Sequence, residues 1–313
     1  MIFKVEINKE DIFPVIHLIN KAEETSAEIY SFGALLNSFK IENSINVIDG
    51  YVSPQDAKDN ITNGFKSAKL SPFVCRIANS KYDFKDHEYS INKFNLGDEA
   101  IHGLLFDAVF SVTDAQADSN SAFVTLQYNY TKKNEGFPFD YTCLVTYRLE
   151  KNSLLSIETI VKNDSTTEIP VCDGWHPYFT LGVKINELLF ELNAAQMVEF
   201  SDRLVPTGKI IMCNKFQQPE IFGTTFLDNC FLLNENNNPA CILKNTKSGL
   251  TLTIQPDRSY PYLQVYTPEH RNSIAIENLS AAPDSFNNKI GLTILNAGES
   301  IAFKTSFSAS VNL

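Results

Sequence analysis

The sequence predicts a mostly β fold: a large antiparallel β-sandwich with a few short helices. Three observations point there. Apolar and polar residues alternate with period two in many short runs, turn residues punctuate those runs, and helical periodicity is scarce. The 313 residues are 43% hydrophobic and 20% charged, a globular composition with ample material for a large core. No compositional break marks a boundary, so one domain over 1–313 is expected.

Taken in order, the N-terminal residues 1–10 hold an apolar run that charges interrupt at once, unlike a signal peptide. Ser53-Pro54-Gln55-Asp56 reads as a helix N-cap followed by proline in the first turn. Ala57, Ile61 and Phe65 then share one face of a short amphipathic helix. Residues 123–130, 143–149 and 153–161 are β-branched and aromatic runs, the last ended by Asn163-Asp164-Ser165. Residues 250–254 alternate cleanly, and 301–308 form a closing strand. The polar run 234–239 is a loop between strands.

Charge and cysteine content narrow the function classes. The net charge is −11, and the five arginines (Arg76, Arg148, Arg203, Arg258, Arg271) form no basic stripe. Nucleic acid is therefore a poor partner, and a strongly anionic substrate is disfavoured. No uninterrupted apolar stretch is long enough to cross a bilayer, so the chain reads as cytoplasmic, with no membrane partner. The six cysteines lack metal or redox spacing and read as reduced, small core hydrophobes, so no metal is expected.

One segment concentrates chemistry: Asp173-Gly174-Trp175-His176-Pro177-Tyr178-Phe179, which contains the only tryptophan. Proline pushes the residue before it into extended backbone, so His176 belongs at a strand end or sharp turn. A proton-carrying group among aromatic faces suits a sugar site, where ring C–H faces pack and hydroxyls find polar partners. Downstream, Glu277 ends a short apolar run in Ser273-Ile274-Ala275-Ile276-Glu277-Asn278 and precedes the Pro283-Asp284 turn. Upstream stand Val74-Cys75-Arg76-Ile77 and Ile101-His102-Gly103.

These four segments, in this order, resemble the aldose 1-epimerases (galactose mutarotases), from Ile29-Tyr30-Ser31-Phe32-Gly33-Ala34 to the strand after Gly298-Glu299. The resemblance implies the galactose mutarotase-like supersandwich, a free monosaccharide substrate, no cofactor, and acid–base opening of a hemiacetal. It implies Glu277 as base and His176 as acid, with Arg76, His102 and Asp228 binding the sugar. Trp175, Tyr178 and Phe179 then become candidates for the pocket wall, and Gln264 and Tyr266 for supporting contacts. An unperturbed glutamate is ionised at neutral pH, and partial burial would raise its basicity. An unperturbed histidine near 6.5 keeps a useful protonated fraction, which a nearby carboxylate would increase. Gly103 would let the backbone approach a ligand closely.

Each residue also has an ordinary reading. Arg76 could pair with a surface carboxylate, His102 and Asp228 could serve turns, and Glu277 could face solvent. The chain departs from the family pattern at Cys75, where asparagine is common, at Asn278, where proline often follows the glutamate, and at Phe139-Asp140, often Gly-Asn. These changes bear on sugar identity more than on reaction type. The alternatives are a hexose-6-phosphate 1-epimerase, a non-catalytic carbohydrate-binding protein, and a glycoside hydrolase or lyase using Glu277 with Asp228. Monomer and homodimer are both compatible with the sequence.

Overall fold

A computed structural model describes residues 2–236 and 238–311. Two large antiparallel sheets carry the architecture. The first has nine strands in the order Ser111–Ala117, Ser121–Thr131, Asp140–Glu150, Leu154–Asn163, Ser300–Val311, Leu250–Pro256, Cys241–Lys244, Leu189–Leu192, Glu220–Ile221. The alternating runs read from sequence all lie in this sheet. The closing strand, Ser300–Val311, sits at its centre, between Leu154–Asn163 and Leu250–Pro256.

The second sheet runs Pro206–Met212, Ala194–Phe200, Asp228–Leu233, Tyr262–Tyr266, Ile274–Leu279, Gly174–His176, Ala68–Leu70, and Tyr178–Phe179 also pairs with Ile274–Leu279. A smaller meander of five strands, Phe3–Asn8 to Ile45–Asn46, precedes both. Each of these sheets is antiparallel, as the alternation requires.

The two large sheets meet face to face. Phe179 packs on Phe307 with ring centroids 5.2 Å apart, and Tyr147 packs on Trp175 at 6.0 Å. Polar ties cross the same layer. Thr305 Oγ1 donates to Asn278 Oδ1 at 2.6 Å, and Lys69 Nζ donates to Thr159 Oγ1 at 3.2 Å. Asn278, one of the family departures, therefore faces the inter-sheet core. Phe139, another, packs among Phe84, Tyr89 and Phe137.

The expected helix spans Pro54–Asn60, and the Ser53 side chain accepts from the Asp56 N–H at 3.1 Å. Ala57, Ile61 and Phe65 are buried as predicted. Phe65 lies beyond the helix at φ 53°. A second short helix, Ser285–Asn288, follows the Pro283-Asp284 turn.

Candidate active site

Strand register explains how distant residues converge. Opposed residues in an antiparallel pair share a face, and residues two apart on one strand do too. Asp228 opposes Tyr266, Cys230 opposes Gln264, and Gln264 opposes Glu277. Gly174 opposes Leu279, so His176 projects to the same side as Glu277. Glu277, Gln264, Tyr266, Asp228 and His176 thus share the face opposite the sandwich core. Trp175 alternates to the other side, as does Phe179.

The loops that cover this face bring Arg76 and His102. Arg76 lies on the two-residue strand Arg76–Ile77 and opposes Ile101, one residue before His102. The His102 N–H donates to the Cys75 carbonyl at 2.8 Å, tying the two segments together. Cys75 and His102 both adopt left-handed backbone, at φ 46° and 62°. Such conformations in non-glycine residues are costly and concentrate at functional sites. Gly103, at φ 76°, has a different task from the expected ligand approach. A Cβ there would stand 2.5 Å from both the N and O of Ser71, so glycine permits close backbone packing.

A cavity of about 360 Å³ results, within the usual range for small-molecule sites. Arg76, His102, His176, Asp228 and Glu277 all line it, as do Tyr178, Gln264 and Tyr266. Trp175 and Phe179 do not; both are core side chains of the inter-sheet layer. Cys75, Phe65, Phe94 and Leu96 also line it, though sequence reasoning did not assign them to the wall. Phe65 read as a helix-face core residue, and Phe94 and Leu96 sit in a short segment without periodicity. His17, His87 and His270 are not among the lining residues.

Glu277 Oε1 lies 3.2 Å from His176 Nε2. The other carboxylate oxygen lies 3.9 Å from the Cys75 thiol, a weak donor. Gln264 Nε2 donates to Asp228 Oδ1 at 2.7 Å. The rings of His102 and His176 meet edge to face, centroids 4.8 Å apart. Among the described residues no side chain hydrogen-bonds or pairs with the Arg76 guanidinium, which leaves its donors for a ligand.

Burial dominates the ionisation of the site. It raises Glu277 well above the ordinary carboxyl value, with the charge on Asp228 adding to the rise. It lowers His176 to about 4 and holds His102 well below the ordinary imidazole value. Loss of hydration thus moves His176 away from the ordinary value near 6.5 on which the sequence expectation rested. Burial therefore pushes both partners towards their neutral forms. Burial also raises Asp228, although Arg76 and Gln264 oppose the rise.

A sandwich of two large antiparallel sheets, with a small cavity on the outer face of one of them, defines a class, the galactose mutarotase-like folds. The comparisons narrow it. Residues 14–308 match the family Aldose 1-epimerase, and the chain belongs to that family. It is 29% identical to the uncharacterized protein YihR of Escherichia coli (strain K12), over 74% of each chain. It is 26% identical to an aldose 1-epimerase of Streptococcus thermophilus, over 74% of this chain and 75% of the relative. The crystal structure of galactose 1-epimerase from Lactobacillus acidophilus matches 99% of this chain and all of its own at a TM-score of 0.86 and 19% identity. A galactose mutarotase-like protein from Clostridium acetobutylicum gives 0.88 and 18%, covering 99% of this chain and 98% of its own.

Proposed function

We propose that the protein is an aldose 1-epimerase that interconverts the α and β anomers of a free aldohexose, galactose or glucose. The observation that carries this reading is the 3.2 Å contact between Glu277 and His176 within a sugar-sized cavity. Glu277 takes the proton of the anomeric hydroxyl, and His176 gives a proton to the ring oxygen. The C1–O5 bonding pair stays on O5, and the O1 lone pair closes the aldehyde. Rotation about C1–C2 and reversal of both transfers give the other anomer.

Proton bookkeeping fits the pair. Before opening, the competent form is carboxylate with imidazolium; after opening, it is carboxylic acid with neutral imidazole. Both hold a single proton, and burial favours the second, uncharged form. Sugar hydroxyls and the Arg76 guanidinium supply the polarity that restores the first. Arg76, His102 and Asp228 hold the ring, with Gln264 orienting Asp228. The enzyme acts in the cytoplasm as a monomer or homodimer, and its fold serves as one unit.

A hexose 6-phosphate fits less well. Arg76 is the one lysine or arginine lining the cavity among the described residues, and Asp228 and Glu277 share the wall. A merely sugar-binding protein has no need of an acid–base pair. Polarimetry of freshly dissolved α-D-galactose and α-D-glucose tests the reading. Wild type should speed equilibration, while Glu277→Gln and His176→Asn should each lose about 10²–10⁴-fold. Equilibration at the buffer rate with all three proteins would refute it, and glucose 6-phosphate serves as the comparison substrate.

A further inference from the structure

The loop wall of the cavity is fastened by a residue that is not among its lining residues. Arg203 stands in the hairpin between Ala194–Phe200 and Pro206–Met212, which the Ser201 N–H closes on the Val205 carbonyl at 2.9 Å. Its side chain reaches Glu99: Nε donates to Oε1 at 3.0 Å, and Nη2 to the same oxygen at 2.5 Å. Nη2 also donates to Asn79 Oδ1 at 2.9 Å. The second Glu99 oxygen accepts from the Asn79 N–H at 2.6 Å. The Arg203 side chain is 54% exposed, but that of Glu99 only 6%. A carboxylate hidden to that degree needs a cation and donors, and a planar guanidinium can serve two acceptors at fixed angles.

The two acceptors belong to the two segments that carry sugar-binding groups. Asn79 lies three residues after Arg76, and Glu99 three before His102. Those segments pair, Arg76 with Ile101 and Ile77 with Ala100. Glu99 also opposes Leu96, which lines the cavity. Asn79 and Ser80 adopt left-handed backbone, at φ 53° and 56°, a costly conformation that persists where neighbours hold it.

On its other side the hairpin continues into the second sheet. Ala194–Phe200 pairs with Asp228–Leu233, whose first residue lines the cavity. The Arg76 charge acts on the Asp228 carboxyl, pulling it down against burial, so the loop wall and the sheet face each other there. Among the described residues, hydrogen bonds join the loop wall, residues 75–103, to the strands of residues 194–233 through Arg203 alone. Glu277 and His176 depend on no such link, because their strands pair directly, Gly174 opposite Leu279. We propose, resting on the epimerase reading above, that Arg203 is a positioning residue. Its fork fixes the spacing of Arg76 and His102 against Asp228, and so sets how tightly the sugar is held without entering the proton transfers.

The test is anomer exchange of galactose and glucose by wild type, Arg203→Ala, Glu99→Gln and the double variant. Arg203→Ala should raise KM roughly tenfold and keep kcat within about twofold, the mark of binding lost equally from ground and transition states. Tenfold corresponds to about 1.4 kcal/mol. Glu99→Gln should act in the same direction, and the double variant should be no weaker than Arg203→Ala alone, since both changes remove one contact. A KM within about twofold of wild type, a loss carried by kcat, or additive losses in the double variant overturn the proposal. If wild type turns over neither sugar, the epimerase reading fails, and amide hydrogen exchange of the unliganded protein still reads the clasp. Arg203→Ala should speed exchange over residues 76–103 and leave residues 174–179 as in wild type. Unchanged exchange over 76–103, or equal acceleration of both segments, refutes it.

Discussion

Behind the site lies a fully buried ion pair, and breaking it should be costly in a pH-dependent way. Lys69 Nζ stands 2.5 Å from Asp173 Oδ1, and neither side chain is exposed at all. The same ammonium donates to Thr159 Oγ1 and to the Gly174 carbonyl, and lies 4.2 Å from the centre of the Trp175 ring. It therefore joins the strand that carries His176 to the opposite sheet. Lys69→Met keeps the length and removes the charge, leaving Asp173 with the Tyr260 hydroxyl at 2.6 Å as a side-chain donor. Removing one partner of a buried pair costs about 3–5 kcal/mol. Unfolding entropy for a chain of this length is about 0.7 kcal/mol per degree, so Tm should fall by roughly 4–8 °C.

The sign of the pH dependence follows from Asp173. Burial already raises its carboxyl in the folded protein, against the lowering influence of Lys69 and Tyr260. A folded carboxyl that binds its proton more tightly than the unfolded one favours folding at low pH, and that contribution is lost as pH rises through the folded value. Removing Lys69 widens the gap. The variant's deficit should therefore be larger at pH 8 than at pH 5, measured by thermal or denaturant unfolding beside wild type. Adding Asp173→Asn should recover most of the loss, because no buried charge remains. A deficit under about 1 kcal/mol, one that grows towards pH 5, or no recovery in the double variant would refute the reasoning.

Other predictions concern the catalytic face. The rate profile, after subtraction of the buffer reaction, should hold down to about pH 4, where His176 takes a second proton into the pair. It should fall again at alkaline pH, above the raised titration of Glu277, since the pair then loses its only proton. An acid limb between pH 6 and 7 would contradict the burial argument. Cys75→Ser replaces the weak thiol donor beside Glu277 with a stronger hydroxyl, which should favour the carboxylate and move the alkaline limb to lower pH. An unmoved limb would show that the contact does not tune Glu277. Gly103→Ala drives a Cβ against the Ser71 backbone at positive φ, so it should cost roughly 2 kcal/mol or more in denaturant unfolding.

Much of this protein was legible in one dimension. Alternation has a local cause, the two-residue pleat, so the runs at 123–130, 143–149, 250–254 and 301–308 predicted their strands directly. The Ser53 cap and Pro54 likewise act within one helical turn. The family resemblance pointed to Arg76, His102, His176, Asp228 and Glu277, and the fold gathers all five around one cavity. Tertiary structure alone decided which neighbours turn towards it. Trp175 and His176 are adjacent in sequence, yet the pleat sends one to the inter-sheet core and the other to the cavity. Ionisation was also beyond local reading: His176 falls to about 4 because the whole fold excludes water from it. The cavity wall also takes in Phe65, Phe94, Leu96 and Tyr266, and no local pattern relates segments that only strand pairing and loop packing bring together.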